Sequence, residues 1–199
     1  MERAPHAFRR TFNNGQSSVN RELIKNAQDA LAVVDVYLRE CHSSLSADYD
    51  PKSESAPKLV FQHKFFAKQA AVFKASESEK DIDSKIVRYY VSTGLRLLPA
   101  DLIETEKEPD ELAKQVTAEI TAEFVSEYKM TNPDLTQEAI EEFGKYNTML
   151  HVWPYWRELI QNMCARMRLA QIVLPMYRVP SGQKSGEPAA LDTEKERNV

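Results

Sequence analysis

Residues 153 to 168 read Trp-Pro-Tyr-Trp-Arg-Glu-Leu-Ile-Gln-Asn-Met-Cys-Ala-Arg-Met-Arg. Proline has no amide hydrogen and presets φ, which suits a first helical position, so the stretch predicts a helix beginning at Pro154. From there Trp156, Leu159, Ile160, Met163, Cys164 and Met167 recur at helical spacing as one wide apolar stripe, with Arg157, Glu158, Gln161, Arg166 and Arg168 on the remainder. Burying six such side chains gains roughly 9–18 kcal/mol gross, against about 1–2 kcal/mol for each backbone residue ordered. The helix is therefore stable only when docked, either on a sheet of its own chain or on a second subunit. A short apolar segment follows, Leu169 to Leu174, stopped by Pro175.

Upstream, four stretches alternate with the period of two expected of strands. Ala30 to Leu45 is apolar on both faces, with Val34 and Val36 on one of them, which predicts a strand buried on both sides or one that joins subunits. Lys58 to Lys74 sets Leu59, Phe61, His63 and Phe65 against Lys64, Phe66 and Lys68. Lys85 to Pro99 follows, with Gly94 predicted to mark a bulge. Val116 to Tyr128 alternates most regularly, and its outward Glu119, Glu123 and Glu127 are placed to pair with Lys64, Lys68, Arg88 or Arg96 across strands. Asn132-Pro133 predicts the cap of a helix through Leu135, Ala139, Ile140 and Phe143, loosened at Gly144 and Asn147. A short helix over Asn20 to Asp29 completes the elements. Strands followed by helices, without room for βαβ crossovers, predict an α+β fold in which a four-stranded antiparallel sheet is backed by C-terminal helices. Residues 1–29 read as a polar lead, 30–178 as a single domain and 179–199 as a flexible tail.

Composition narrows the function. A chain of 199 residues, 42% hydrophobic and 28% charged, has enough apolar side chains for a sizeable core. A net charge of -4, with no Lys/Arg run interleaved with aromatics, disfavours a nucleic-acid platform. Arg3, Arg9 and Arg10 precede no apolar run, and no stretch is long enough to span a bilayer, so a cytoplasmic protein without membrane insertion is expected. The five glycines cannot build a phosphate loop, and His6, His42, His63 and His151 fit no metal-ligand spacing. Cys41 and His42 are adjacent on a strand, where side chains point to opposite faces, so they cannot act as a nucleophilic pair. No catalytic residue, metal or cofactor is expected.

Pro154-Tyr155, then Arg157-Glu158, then Arg166 and the Leu169/Ile172/Leu174-Pro175 exit resemble the corresponding helix of the SecB family of export chaperones, and the Trp-Pro-Tyr-Trp-Arg-Glu form is similar to its SecB-like branch. The densest match covers about residues 139–178. The resemblance implies an ATP-independent chaperone for unfolded polypeptides, assembled as a homotetramer, a dimer of dimers. In that frame Phe61, Phe65, Phe66, Trp153, Tyr155, Met176 and Tyr177 are candidates for client contact. Val34, Val36, Trp156, Leu159, Ile160 and Met163 are candidates for subunit interfaces. Glu119, Glu123 and Glu127 form an acidic face for a basic partner such as the SecA motor, or a solvated face paired within the sheet. Clients in general export and a dedicated antitoxin are both implied. Export members carry a further helix after the apolar exit, where Val179 to Val199 here is rich in Gly, Pro and Lys. Readings from other classes are a small-ligand or enzyme module with His63, Tyr89 or His151 in a pocket between sheet and helices, and an adaptor for one folded partner.

Overall fold

A computed structural model describes residues 19–53, 55–74, 85–102 and 109–177. Most of the polar lead, the charged turn after Lys74, the acidic residues 103–108 and the tail lie outside this set. The chain runs α1 (Arg21–Ala30), β1 (Leu31–Leu45), β2 (Leu59–Lys74), β3 (Lys85–Pro99), a 3-10 turn (Ala100–Leu102), α2 (Pro109–Lys114), β4 (Ala118–Met130), α3 (Gln137–Tyr146) and α4 (Thr148–Arg166). The architecture is α+β, as expected. Its four strands form one antiparallel sheet in the order β1-β4-β3-β2, leaving β1 and β2 as the edges.

Alternation decides which face each strand residue takes. On β4, Ala118, Ile120, Ala122, Phe124 and Tyr128 are buried beneath the helices, while Glu119, Glu123 and Glu127 lie on the outer face. The pairing of Gly94 with Lys64 and with Thr121 continues the register on both sides, so Gly94 does not mark a bulge. A Cβ there would meet Lys64 Cε at 2.9 Å, so glycine admits a close cross-strand approach instead. The irregularities fall on the edges, between Ala67 and Gln69 in β2 and twice in β1, between Val33 and Asp35 and between Leu38 and Glu40. Bulges there twist an edge away from uncontrolled pairing.

The helix predicted to begin at Pro154 begins six residues earlier, at Thr148. Met149, Val152 and Trp153 are buried against the sheet, and that packing outweighs the local preference of proline for a first position. The carbonyl that loses its Pro154 donor belongs to Leu150, and both residues are exposed, so water can replace the missing bond. Likewise α3 is capped by Thr136, whose hydroxyl accepts from the Ala139 amide, and not by Asn132, whose carboxamide accepts from the Asp134 amide in the preceding turn. Asn20 caps α1 and donates its backbone amide to the buried Glu142 on α3 at 2.9 Å, which joins those two helices.

Two apolar clusters result. One sits beneath α4, where Trp156, Ile160 and Cys164 meet Val91, Leu95, Ile120 and Phe124. The other joins α1 and α3 to Val87, Tyr89 and Tyr128. Gly144 sits buried within α3, where a Cβ would lie 2.8 Å from the Tyr89 ring. Its role is this close approach. Past α4, Arg168 takes φ 57°, the Arg168 amide donates to the Ala165 carbonyl and the Leu169 amide to the Cys164 carbonyl. That is a Schellman turn with arginine where glycine is usual. It sends Leu169, Ile172 and Leu174 back into the cluster under α4.

Candidate functional site

The returning segment completes an aromatic patch. Alternation puts Phe61, His63 and Phe65 on the helix-side face of edge strand β2, and α4 supplies Trp153. The Trp153 indole nitrogen donates to the Pro175 carbonyl at 2.8 Å, which holds the exit segment across the helix and brings in Tyr177. Phe65 meets Tyr177 and Trp153 edge to face, with ring centroids 5.2 and 5.8 Å apart, and Trp153 and Tyr177 lie tilted at 5.6 Å. His63 lies about one ring away from Phe61, Phe65 and Trp153, at 6.4, 6.1 and 6.1 Å. Partial burial beside these rings lowers the pKa of its imidazole from the ordinary histidine value. Burial, then the neighbouring Tyr146, raises the Tyr177 phenol, which donates to the Tyr146 carbonyl.

The patch is half covered. Trp153 is buried and Phe65 and Tyr177 are half-buried, while Phe61 keeps 40% of its surface exposed and Met176, at the rim, 70%. Single exposed apolar residues are ordinary; here two of them, Phe61 and Met176, flank a packed aromatic cluster. Four of the seven candidates chosen for client contact thus converge, with Met176 beside them. Phe66 is exposed on the opposite face of β2, and Tyr155 is exposed on α4 outside the ring cluster. Arg157 also belongs to this region, with its Nη1 3.1 Å from the Met176 sulfur, and sequence reasoning passed it over as a polar-face residue.

The candidates for subunit contact divide as well. Trp156 and Ile160 have no exposed surface and Val36 has 8%, so within the protomer these side chains serve as core. Leu159 and Met163 are half-buried, and Val34 is 56% exposed beside the exposed Val33, Tyr37 and Leu38 on edge strand β1. The outer acidic row is paired internally. Glu123 binds Arg39 at 2.8 Å and Lys68 at 2.7 Å, Glu127 binds Arg88 at 2.6 Å, and Glu119 stands opposite Arg96 in register.

The residues proposed for a ligand pocket do not converge. Tyr89 is buried and donates to the Ile140 carbonyl, while His151 shares a 2.9 Å hydrogen bond with the Tyr128 hydroxyl. A cleft of about 270 Å³ lies elsewhere, between α1 and the start of α3, lined by Asn26, Asp29, Asp134 and Thr136 among others. Among the described residues, no group of three or more His, Cys, Asp or Glu is placed to hold a metal ion, and no helix is long and apolar enough to cross a membrane.

Neither a protein-family model nor a curated protein matches the sequence. Among solved structures, the Mycobacterium tuberculosis Rv1957 SecB-like chaperone, in complex with a ChAD peptide from the Rv1956 HigA1 antitoxin, is similar to this chain. The TM-score is 0.55 at 18% identity, over 80% of this chain and 99% of that one. The fold is SecB-like. A protein of unknown function from Streptococcus agalactiae aligns over 74% of this chain and 99% of that one, at 10% identity and a TM-score of 0.28. In the SecB-like frame, the aromatic patch lies along one sheet edge, β2, and the exposed valines along the other, β1.

Proposed function

We infer that this chain is an ATP-independent holding chaperone whose aromatic patch binds extended apolar segments of unfolded polypeptides. The observation that carries the reading is the patch itself: a packed floor of Phe65, Trp153 and Tyr177 with Phe61 and Met176 left open to solvent, on a SecB-like fold. Rings locked by mutual contact lose little entropy when a client side chain lands on them. Weak contacts repeated over an oligomer add through effective concentration, so no nucleotide is required. The subunits would join along β1, where Val33, Val34, Tyr37 and Leu38 are exposed on a free edge, and pair again through α4 at the half-buried Leu159 and Met163, giving a dimer of dimers.

The client is read as one dedicated partner, for which an antitoxin is a precedent, in preference to cargo handed to the export motor. The similar chaperone is solved with an antitoxin peptide, and the acidic row a basic motor segment would need is here neutralised by Arg39, Lys68 and Arg88. The protein would act in the cytoplasm. A chemically denatured test protein diluted into buffer without ATP provides the test. The reading requires aggregation to be suppressed at stoichiometric amounts of this chain, and undiminished scattering would reject it.

A further inference from the structure

We propose that the free edge of β2 takes up an extended segment as an added strand, and that it selects segments in which apolar and acidic residues alternate. This rests on the chaperone reading and names how the ligand is held and of what kind it is. The sheet order leaves one side of β2 unpaired. One hydrogen bond decides which backbone groups lie open there. The Lys58 carbonyl accepts from the Ala100 amide at 2.8 Å, and in an antiparallel ladder bonded pairs alternate with non-bonded ones. With Leu59 opposite Pro99, the even-numbered residues from Lys58 to Phe66 therefore turn their amides and carbonyls toward β3, and Leu59, Phe61, His63 and Phe65 turn theirs outward. Among the described residues no other backbone group bonds to this edge. The register is unbroken from Leu59 to Ala67, and the shift before Gln69 ends the regular stretch. Such an edge is a template for one more strand.

Side-chain parity sets what that strand must carry. The residues with open backbone groups point their side chains to the helix side, where Phe61 is 40% exposed and His63 is exposed as well. The other face of β2 carries Lys58, Lys64 and Lys68, and no Asp or Glu occurs between Ser55 and Ser76. Lys68 reaches inward to Glu123 and still keeps 47% of its side chain exposed. Paired residues of neighbouring strands share a face, so apolar side chains beside Phe61 and His63 and carboxylates beside the lysines satisfy both sides at once. A slip of one residue would invert every contact. Two β2 edges joined about a two-fold axis would instead gather the lysines of both copies on one face, which argues against a second copy as the occupant.

The experiment uses the full chain and fluorescein-labelled peptides of about ten residues, the length of a long strand. One alternates Val and Glu, one alternates Val and Lys, and one holds the Val and Glu residues in two blocks. Anisotropy titrations at low salt should show the alternating Val/Glu peptide binding about 10-fold tighter than either other peptide. With that peptide bound, hydrogen exchange followed by NMR should slow about 10-fold or more at the Phe61 and His63 amides, and change little at Gln62 and Lys64, which already bond to β3. His63→Pro removes one open donor and no ladder bond to β3, so it should bind about 10-fold more weakly than His63→Val, which keeps the amide. Circular dichroism establishes that both variants are folded. Binding that ignores the order of Val and Glu, leaves the two amides unprotected or is equal in the two His63 variants overturns strand addition. So does a lower mass of His63→Pro in solution, which would make a second copy the occupant. The aggregation assay separates the two readings. A wild type that suppresses aggregation yet binds no peptide loses this inference alone, and one that does neither loses the chaperone reading as well.

Discussion

Trp153 is where the helix, the exit segment and the edge strand are joined, and its removal is the sharpest test of how the patch is built. The side chain is 3% exposed, so Trp153→Ala deletes a buried aromatic ring, a loss of about 3–5 kcal/mol. Within that sum, the hydrogen bond to the Pro175 carbonyl is worth about 1 kcal/mol. The ring contacts, edge to face with Phe65 and tilted with Tyr177, add about 0.5–1.5 kcal/mol each. Trp153→Phe keeps most of the ring and loses the hydrogen bond, so it should cost about 1–2 kcal/mol. Against a typical total of about 5–15 kcal/mol, the alanine variant should be severely weakened and the phenylalanine variant clearly folded. Urea unfolding measures both, at one fixed protein concentration because self-association raises apparent stability. The reasoning is refuted if Trp153→Ala lies within about 1 kcal/mol of wild type, or if the two variants are equally destabilised.

Three further outcomes follow from the packing. Gly144→Ala should destabilise by about 1–3 kcal/mol despite the better helix propensity of alanine, because its Cβ would meet a Tyr89 ring held by the Ile140 carbonyl; a raised melting temperature would contradict this. Arg168→Gly should stabilise by about 0.5–1 kcal/mol by relieving a left-handed arginine, and a loss in urea unfolding would count against the Schellman assignment. The hydrogen bond from Lys68, chiefly, and the charges of Lys68 and Arg39 hold Glu123 below its ordinary value of 4.5. A depressed folded pKa gives stability that is present above the unfolded value and lost as pH falls through the folded one. The advantage of wild type over Glu123→Gln should therefore be full above about pH 5 and vanish in more acidic solution. Exposed partners limit it to about 0.5 kcal/mol, and a pH-independent difference would refute the pairing.

The strands were legible because period-two alternation is a direct image of a sheet with one covered face, and β4 follows it from Ala118 to Phe124 before Val125 and Ser126 are buried as well. The start of α4 was not, because the local signal at Pro154 was opposed by Met149 and Val152, whose burial depends on strands distant in sequence. The site divides the same way. Alternation alone puts Phe61, His63 and Phe65 on one face, whereas Tyr177 reaches them only through a turn at Arg168 that no glycine announces. Phe66 and Tyr155 were chosen for their size, and size says nothing about which face a residue occupies. The cation of Arg157 was legible as a charge, but that its Nη1 meets the Met176 sulfur is visible only when its neighbours in space are known.

Site-specific photo-crosslinking to an unfolded client tests the central claim most directly. With the reactive group placed at Phe61 or at Met176, both exposed at the patch, client should be captured without nucleotide; from Glu141, exposed on α3, it should not. Equal capture from Glu141, or none from Phe61 and Met176, would contradict the account.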